Sequence, residues 1–295
     1  GSWGVRTSSN YRVRYKYSGS VNAQRITNIF SEKDLPDYRK SNDFSLTWSH
    51  RQDAKANPYR SFSASVNYST SSFDQNNVGS VINPNVLAQN IKRSSVNYSQ
   101  RFPDSPFTMN LNASASQNSR DSTVNVSFPD FSVAMQSVYP FKNKDRIGGQ
   151  EAWYEKLNIS YTGNMKNDIN TKERNYSVTP KSLANDWRNG VQHRIPVNLD
   201  LKMFRFFTLN PNLNYTERWY FKSIYKDWDE EQNRIVNTDT VTGFNRVYDY
   251  SFGVGTGTKV YSFYRPSRAI FGDKIDAVRH VMSPSVSFSY SPDFG

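Results

Sequence analysis

Three histidines, His50, His193 and His280, are the side chains best suited to catalysis or metal binding, and they stand far apart in the chain. None begins an HExxH motif or a comparable ligand spacing, and each falls in a run of alternating residues where an ordinary strand position is expected. His50 lies near Asp53 among many serines, but no strained nucleophile turn accompanies it, so a hydrolase triad is not expected. Cysteine is absent, which removes disulfides, thiolate chemistry and Cys-ligated metals. The chain is therefore expected to be no enzyme and to hold neither a metal nor a cofactor.

The charged groups suggest more. Arg6, Arg12, Arg14 and Lys16 share one parity of residues 5–17, and four cations in a row on a strand's polar face would meet phosphate groups by direct charge and hydrogen bonding. Basic residues also line barrels of every function, so the set marks a candidate anion-binding face and no more. The acidic run Asp227, Asp229, Glu230 and Glu231, followed by Asp239, lacks EF-hand spacing and reads as a solvated external loop. Gly253, Gly255 and Gly257 alternate along a strand with no helix after them, so they leave room on one face or let the sheet bend; they do not cradle a phosphate.

The elements that must position these groups follow from composition. Of 295 residues only 36% are hydrophobic, yet 15% are aromatic, and the mean hydropathy is -0.77. Disordered chains are poor in aromatics. Low hydropathy with many rings is expected when every second residue faces water and those between face lipid. No apolar run approaches the roughly 18 residues of a spanning helix, so any insertion must be by strands. The net charge of +11 suits nucleic acid, anionic lipid or a phosphorylated glycolipid and does not choose among them. Both ends fall next to strand patterns, so the sequence reads as a piece of a longer protein, with no internal domain boundary.

Alternation is the dominant pattern. Residues 5–17 put Val5, Tyr11, Val13, Tyr15 and Tyr17 on one parity, and the same period returns around Trp48, Val66, Tyr98, Leu111, Val126, Ile159, Leu199, Tyr215, Tyr250 and Phe288. An even-length hairpin loop must switch the parity of the apolar set and an odd one must keep it. Residues 103–106 switch it, from Phe102 to Phe107, and residues 204–206 keep it, from Met203 to Phe207. Pro129-Asp130 reads as a bulge, because a turn there would leave a five-residue strand against about 9 to 11 needed to cross a bilayer. The expectation is an all-β fold: about twelve antiparallel, meandering strands forming a transmembrane β-barrel segment, an incomplete part of a larger barrel. Short turns are expected near Gly19 and at 52–60, 103–106 and 204–206. Long loops are expected at 31–42, 72–90, 171–188 and 223–242, with 139–152 and 259–277 long on the short side and 117–122 brief on the long side. Rings near strand ends, among them Trp153, Tyr154 and Tyr261, suit interfacial girdles.

The last strand runs from Arg279-His280 through Pro284 and Phe288 to Tyr290, then Pro292. It resembles the R-H-x-x-x-P-x-(apolar)-x-(aromatic)-x-Y-x-P strand of LptD-type lipopolysaccharide-assembly barrels. Asp186-Trp187-Arg188-Asn189-Gly190, Ile195-Pro196-Val197, Pro211 to Tyr220 and Phe128-Pro129-Asp130-Phe131 are similar to a divergent branch of that family. The resemblance covers about residues 44–295. The cysteines that join barrel to jelly roll in better-known members are absent, so oxidation-dependent assembly does not carry over. The resemblance implies an outer-membrane translocon with lipopolysaccharide as cargo. It also implies a lipoprotein plug in the lumen, a periplasmic bridge protein and outer-membrane lipids around the wall.

Other readings remain open at this point. A generic porin or protein-secretion barrel shares the alternation. A soluble β-sandwich adhesin would bury the same rings in a dry core. A nucleic-acid-binding β-protein would need the cations gathered in one groove, whereas they are spread over many strands and mixed with acids, so no nucleic acid is expected.

Overall fold

The computed structural model describes residues 2–70, 72–76, 91–175, 179–204, 206–230, 233–265 and 277–294. In chain order the strands are β1 (Trp3–Val13), β2 (Tyr17–Phe30), β3 (Arg39–Gln52), β4 (Arg60–Ser69), β5 (Ile91–Arg101), β6 (Phe107–Asn118), β7 (Thr123–Val138) and β8 (Leu157–Lys172). They continue with β9 (Arg188–Leu199), β10 (Leu201–Met203), β11 (Phe207–Asp229), β12 (Arg234–Thr258), β13 (Val260–Tyr264), β14 (Val278–Met282) and β15 (Ser285–Tyr290). One antiparallel sheet takes β1 to β9, β11, β12 and β15 in that spatial order, with β10 against β11, while β13 and β14 form a separate ribbon. The meander and its twelve-strand path are those read from the alternation. Among the described residues β1 and β15 stand at the two ends of this order, and no described helix is long and apolar enough to cross a membrane.

The chain packs as two units, one of residues 1–134, 163–192 and 219–246, the other of residues 135–162, 193–218 and 247–295. In the first, the register carries two faces through six strands. Ser9, Val21, Trp48 and Val66 stand opposite one another in turn. Ala64, Val96 and Ala113 do so farther along. The residues between them make the other face: Ser8, Asn22 and Thr47 across β1 to β3, Asn67 beside Thr47, and Ser65, Ser95 and Ser114 across β4 to β6. One face is thus rings and aliphatics, the other serine, threonine and asparagine. Arg25 is an exception on the apolar parity, with its guanidinium 6.0 Å from the Trp3 ring.

A β-sandwich would hide the apolar face. Here Val5, Tyr17, Tyr68, Phe107 and Leu111 are all exposed. The buried apolar cluster of this unit is small and sits at a strand end: Val124, Val126, Ile169 and the fully buried Trp187, with Ala115 and Leu183 against them. Trp187 is held from its backbone as well, its carbonyl accepting a 2.9 Å hydrogen bond from Lys222. Leu183 arrives on a short helix, α2 (Pro180–Asn185), capped by the Thr179 hydroxyl and started by Pro180. Another short helix, α1 (Phe73–Asn76), follows β4. Neither is visible as a helical period, because one or two turns are too short to show one. Val124 and Val126 belong to the alternating apolar set, yet here they are covered by protein and not left open.

In the second unit, Phe252 faces Tyr290, Val254 faces Phe288 and Thr256 faces Val286, while Gly253, Gly255 and Gly257 face Ser289, Ser287 and Ser285. The same two-faced rule holds there. Met203 pairs with Phe207, as the odd-loop argument requires. In the first unit the 103–106 loop behaves likewise, since Phe102 hydrogen-bonds back to Phe107.

Three expectations need correction. The first hairpin turns at residues 14–16, not near Gly19, and Val13 pairs with Tyr17. The turn has three residues, so it leaves the apolar parity unchanged and is invisible to a parity count. Residues 223–242 are not a long loop: β11 runs to Asp229 and β12 starts at Arg234, which places Asp227, Asp229 and Asp239 in strands. These strands have 23 and 25 residues, and around 223–242 they lack the regular apolar alternation by which a strand is read from sequence. The last motif is two strands, β14 and β15, with Ser283 and Pro284 between them. Strand β7 passes unbroken through Pro129-Asp130, with a cis Phe128–Pro129 bond. Glu231, most of the 72–90 connection and residues 266–276 lie outside the described residues.

Candidate anion-binding face

Gly19 organises the start of the sheet. A Cβ there would collide with the Tyr11 hydroxyl and the Ser49 carbonyl, so only glycine lets Tyr11 lie across β2. Tyr11 reaches β3, where its hydroxyl accepts a 2.9 Å bond from Trp48 Nε1 and sits 2.8 Å from His50 Nδ1. Tyr17 and Phe62 close on the imidazole, with ring centroids at 5.5 and 5.2 Å. His193 is held in the same manner in the second unit, 2.8 Å from the Tyr161 hydroxyl. Both histidines are anchored within the sheet. Among the described residues no three His, Cys, Asp or Glu side chains gather closely enough to hold a metal ion.

The four predicted cations divide between β1 and the turn that follows it. Arg6 and Arg12 lie in β1 on the polar parity, Arg6 opposite Gln24 and Arg12 opposite Ser18. The Arg6 Nε donates to Asn22 Oδ1 at 3.4 Å. Arg14 and Lys16 are not in this row; they belong to the turn around Tyr15, whose φ is 60°. The Arg14 guanidinium lies 4.8 Å from the Tyr15 ring centroid, and Lys55 lies 5.3 Å from the same ring. At the end of the strands where Arg12 stands, the register adds Arg51 and Arg101, which the pattern of residues 5–17 does not include. Arg51 stands opposite Ser18 and Ser63, and Arg101 opposite Thr108. Both share the polar face with Arg12.

The motif residues spread over the last strands of the second unit. His280 pairs with Ser262 and Arg279 with Phe263, and the Arg279 guanidinium lies 5.7 Å from the Tyr261 ring centroid. The Pro284 carbonyl accepts from the Thr258 N–H at 3.1 Å. Tyr290 pairs with Phe252. The three glycines differ: Asn212 covers Gly253, with its side-chain nitrogen 2.9 Å from where a Cβ would stand, while Gly255 meets nothing within 4 Å.

A carboxylate knot orders the 139–156 connection. Glu155 is buried, with 3% of its side chain exposed. It accepts from the backbone N–H of Ala152 at 2.7 Å and of Asn143 at 3.3 Å, and it pairs with Arg146 at 2.6 Å. The Ala152 and Asn143 amides, with the Arg146 charge, hold its carboxyl below its ordinary value against the opposing effect of burial.

Comparison with curated proteins finds no match. A family model described as LptD protein matches residues 1–295, the whole chain. The chain therefore belongs to the LptD family.

Proposed function

We propose that the chain forms part of the wall of an outer-membrane translocon that delivers lipopolysaccharide to the outer leaflet. Family membership supports this cargo. The observation that carries the reading is the two-faced sheet, whose apolar side is left exposed while its other side is mostly serine, threonine and asparagine with arginines among them. Acyl chains would travel along the apolar side in the membrane and sugars along the polar side, with no covalent change. Arg6 and Arg12, with Arg14 and Lys16 at the adjoining turn, would attract the phosphates. A lipoprotein plug and a periplasmic bridge protein would complete the machine.

Depletion of the full-length protein tests this reading. Newly made lipopolysaccharide should stop reaching the cell surface, as measured by surface labelling. Undiminished surface arrival would rule the reading out.

A further inference from the structure

Two adjoining pockets of the first unit, about 380 and 470 Å³, open at the ends of the strands joined by the 14–16, 53–59 and 102–106 connections. They share Arg51. The smaller also contains Arg12 and Ser18, the larger Arg101 with Ser61, Ser63 and Ser99. Arg12, Ser18 and Arg51 stand side by side on β1, β2 and β3. Strands about 4.8 Å apart put these two arginines about 10 Å from one another across the serine. On the far side of Arg51, Ser63 leads through Asn97 to the strand that ends in Arg101.

Guanidinium groups keep their charge at any physiological pH. Those of Arg12, Arg51 and Arg101 have no hydrogen-bond or ion-pair partner among the described residues. One carboxylate, Asp53, lines the pockets, and its Oδ1 already accepts the backbone N–H of Lys55. Four arginines therefore share a rim with one carboxylate, Arg60 from the apolar parity and Arg12, Arg51 and Arg101 from the polar one. The residues between them carry hydroxyls, which donate and accept in the way sugar hydroxyls require. A lone phosphate would use the guanidinium groups alone, and a neutral sugar the serines alone. The combination suits a ligand carrying both.

We infer that Arg12, Arg51 and Arg101 form a docking row for a phosphate-bearing saccharide, with phosphates on the guanidinium groups and sugar hydroxyls on the intervening serines. The inference rests on the proposed passage of a glycolipid along the polar face and names where its headgroup is held.

The test uses the full-length protein in lipid nanodiscs and three labelled probes. These are a bis-phosphorylated glycolipid, the same lipid stripped of phosphate, and the deacylated, water-soluble phosphosaccharide. R51Q/R101Q is compared with R93Q. Arg93 lies on the same polar parity, opposite Ser116 and away from these pockets, so its loss lowers the charge of the face without touching the row. Heat-modifiable gel mobility confirms that each variant is folded. The expected result is binding of both phosphorylated probes weakened about tenfold or more by R51Q/R101Q and by less than about twofold in R93Q. The stripped lipid should not distinguish wild type from R51Q/R101Q. Equal binding by wild type and R51Q/R101Q, or an equal loss in R93Q, overturns the inference. So does an effect confined to the acylated probe, which would assign recognition to the lipid chains. The two claims fail separately. A cell that exports lipopolysaccharide normally after depletion removes the transport reading even if the row binds phosphosaccharide, and normal binding by R51Q/R101Q removes the row even if depletion blocks export.

Discussion

The hydroxyl of Tyr11 on β1 lies 2.8 Å from Nδ1 of His50 on β3, with β2 passing between the two strands. The reach is possible because Gly19 offers no side chain at the crossing point. Three strands are thereby tied at a place where backbone pairing alone would let their register slip.

Adding a methyl group at Gly19 should undo this arrangement. G19A is expected to destabilise the full-length protein by about 1–3 kcal/mol through overpacking. Y11F, which loses the bonds to Trp48 and His50 but keeps the ring, should cost about 1–2 kcal/mol. Urea unfolding midpoints in detergent micelles, followed by tryptophan fluorescence, check both values.

Trp187 is the centre of the small buried cluster on Val124, Val126 and Ile169. W187A is expected to cost about 3–5 kcal/mol, the usual range for removing a large buried ring. Because Leu183 on α2 packs there too, the 179–187 segment should become cleavable by added protease before the sheet itself unfolds. Unchanged cleavage would show that the cluster does not hold the segment.

Glu155 gives the 139–156 connection a dependence on pH. Its folded-state carboxyl is held below the ordinary 4.5 by the Ala152 and Asn143 amides and by Arg146, so the stabilisation is complete above that value and is lost as pH falls through the lower, folded one. Protease sensitivity of the connection should therefore rise on acidification below about pH 4.5. E155Q should show the raised sensitivity already at pH 7, with a weaker dependence on pH.

Alternation alone revealed the two-faced antiparallel meander, because in this chain nearly every strand keeps one parity apolar and the hairpin loops obey the parity rule. What it could not reveal has physical reasons. A three-residue turn preserves parity, so parity alone hides the bend at 14–16 and gives Arg14 and Lys16 the pattern of strand residues. The ends of β11 and β12 around 223–242 lack regular apolar alternation, so they read as loop. Val124 and Val126 look like their open neighbours until α2 covers them. Arg51 and Arg101 join Arg12 only after register brings distant strands together, which no local pattern encodes.

The proposed function requires the apolar parity to face lipid and the polar parity to face water. The chain has no cysteine, so single reporters can be placed at will. Spin labels on the full-length protein in bilayers, at Val66, Val96 and Ala113 on one face and Ser65, Ser95 and Ser114 on the other, test it most directly. The first three labels should relax with lipid-dissolved oxygen and the second three with an aqueous nickel chelate. Equal accessibility of both sets to either reagent, or the reverse pattern, would contradict it.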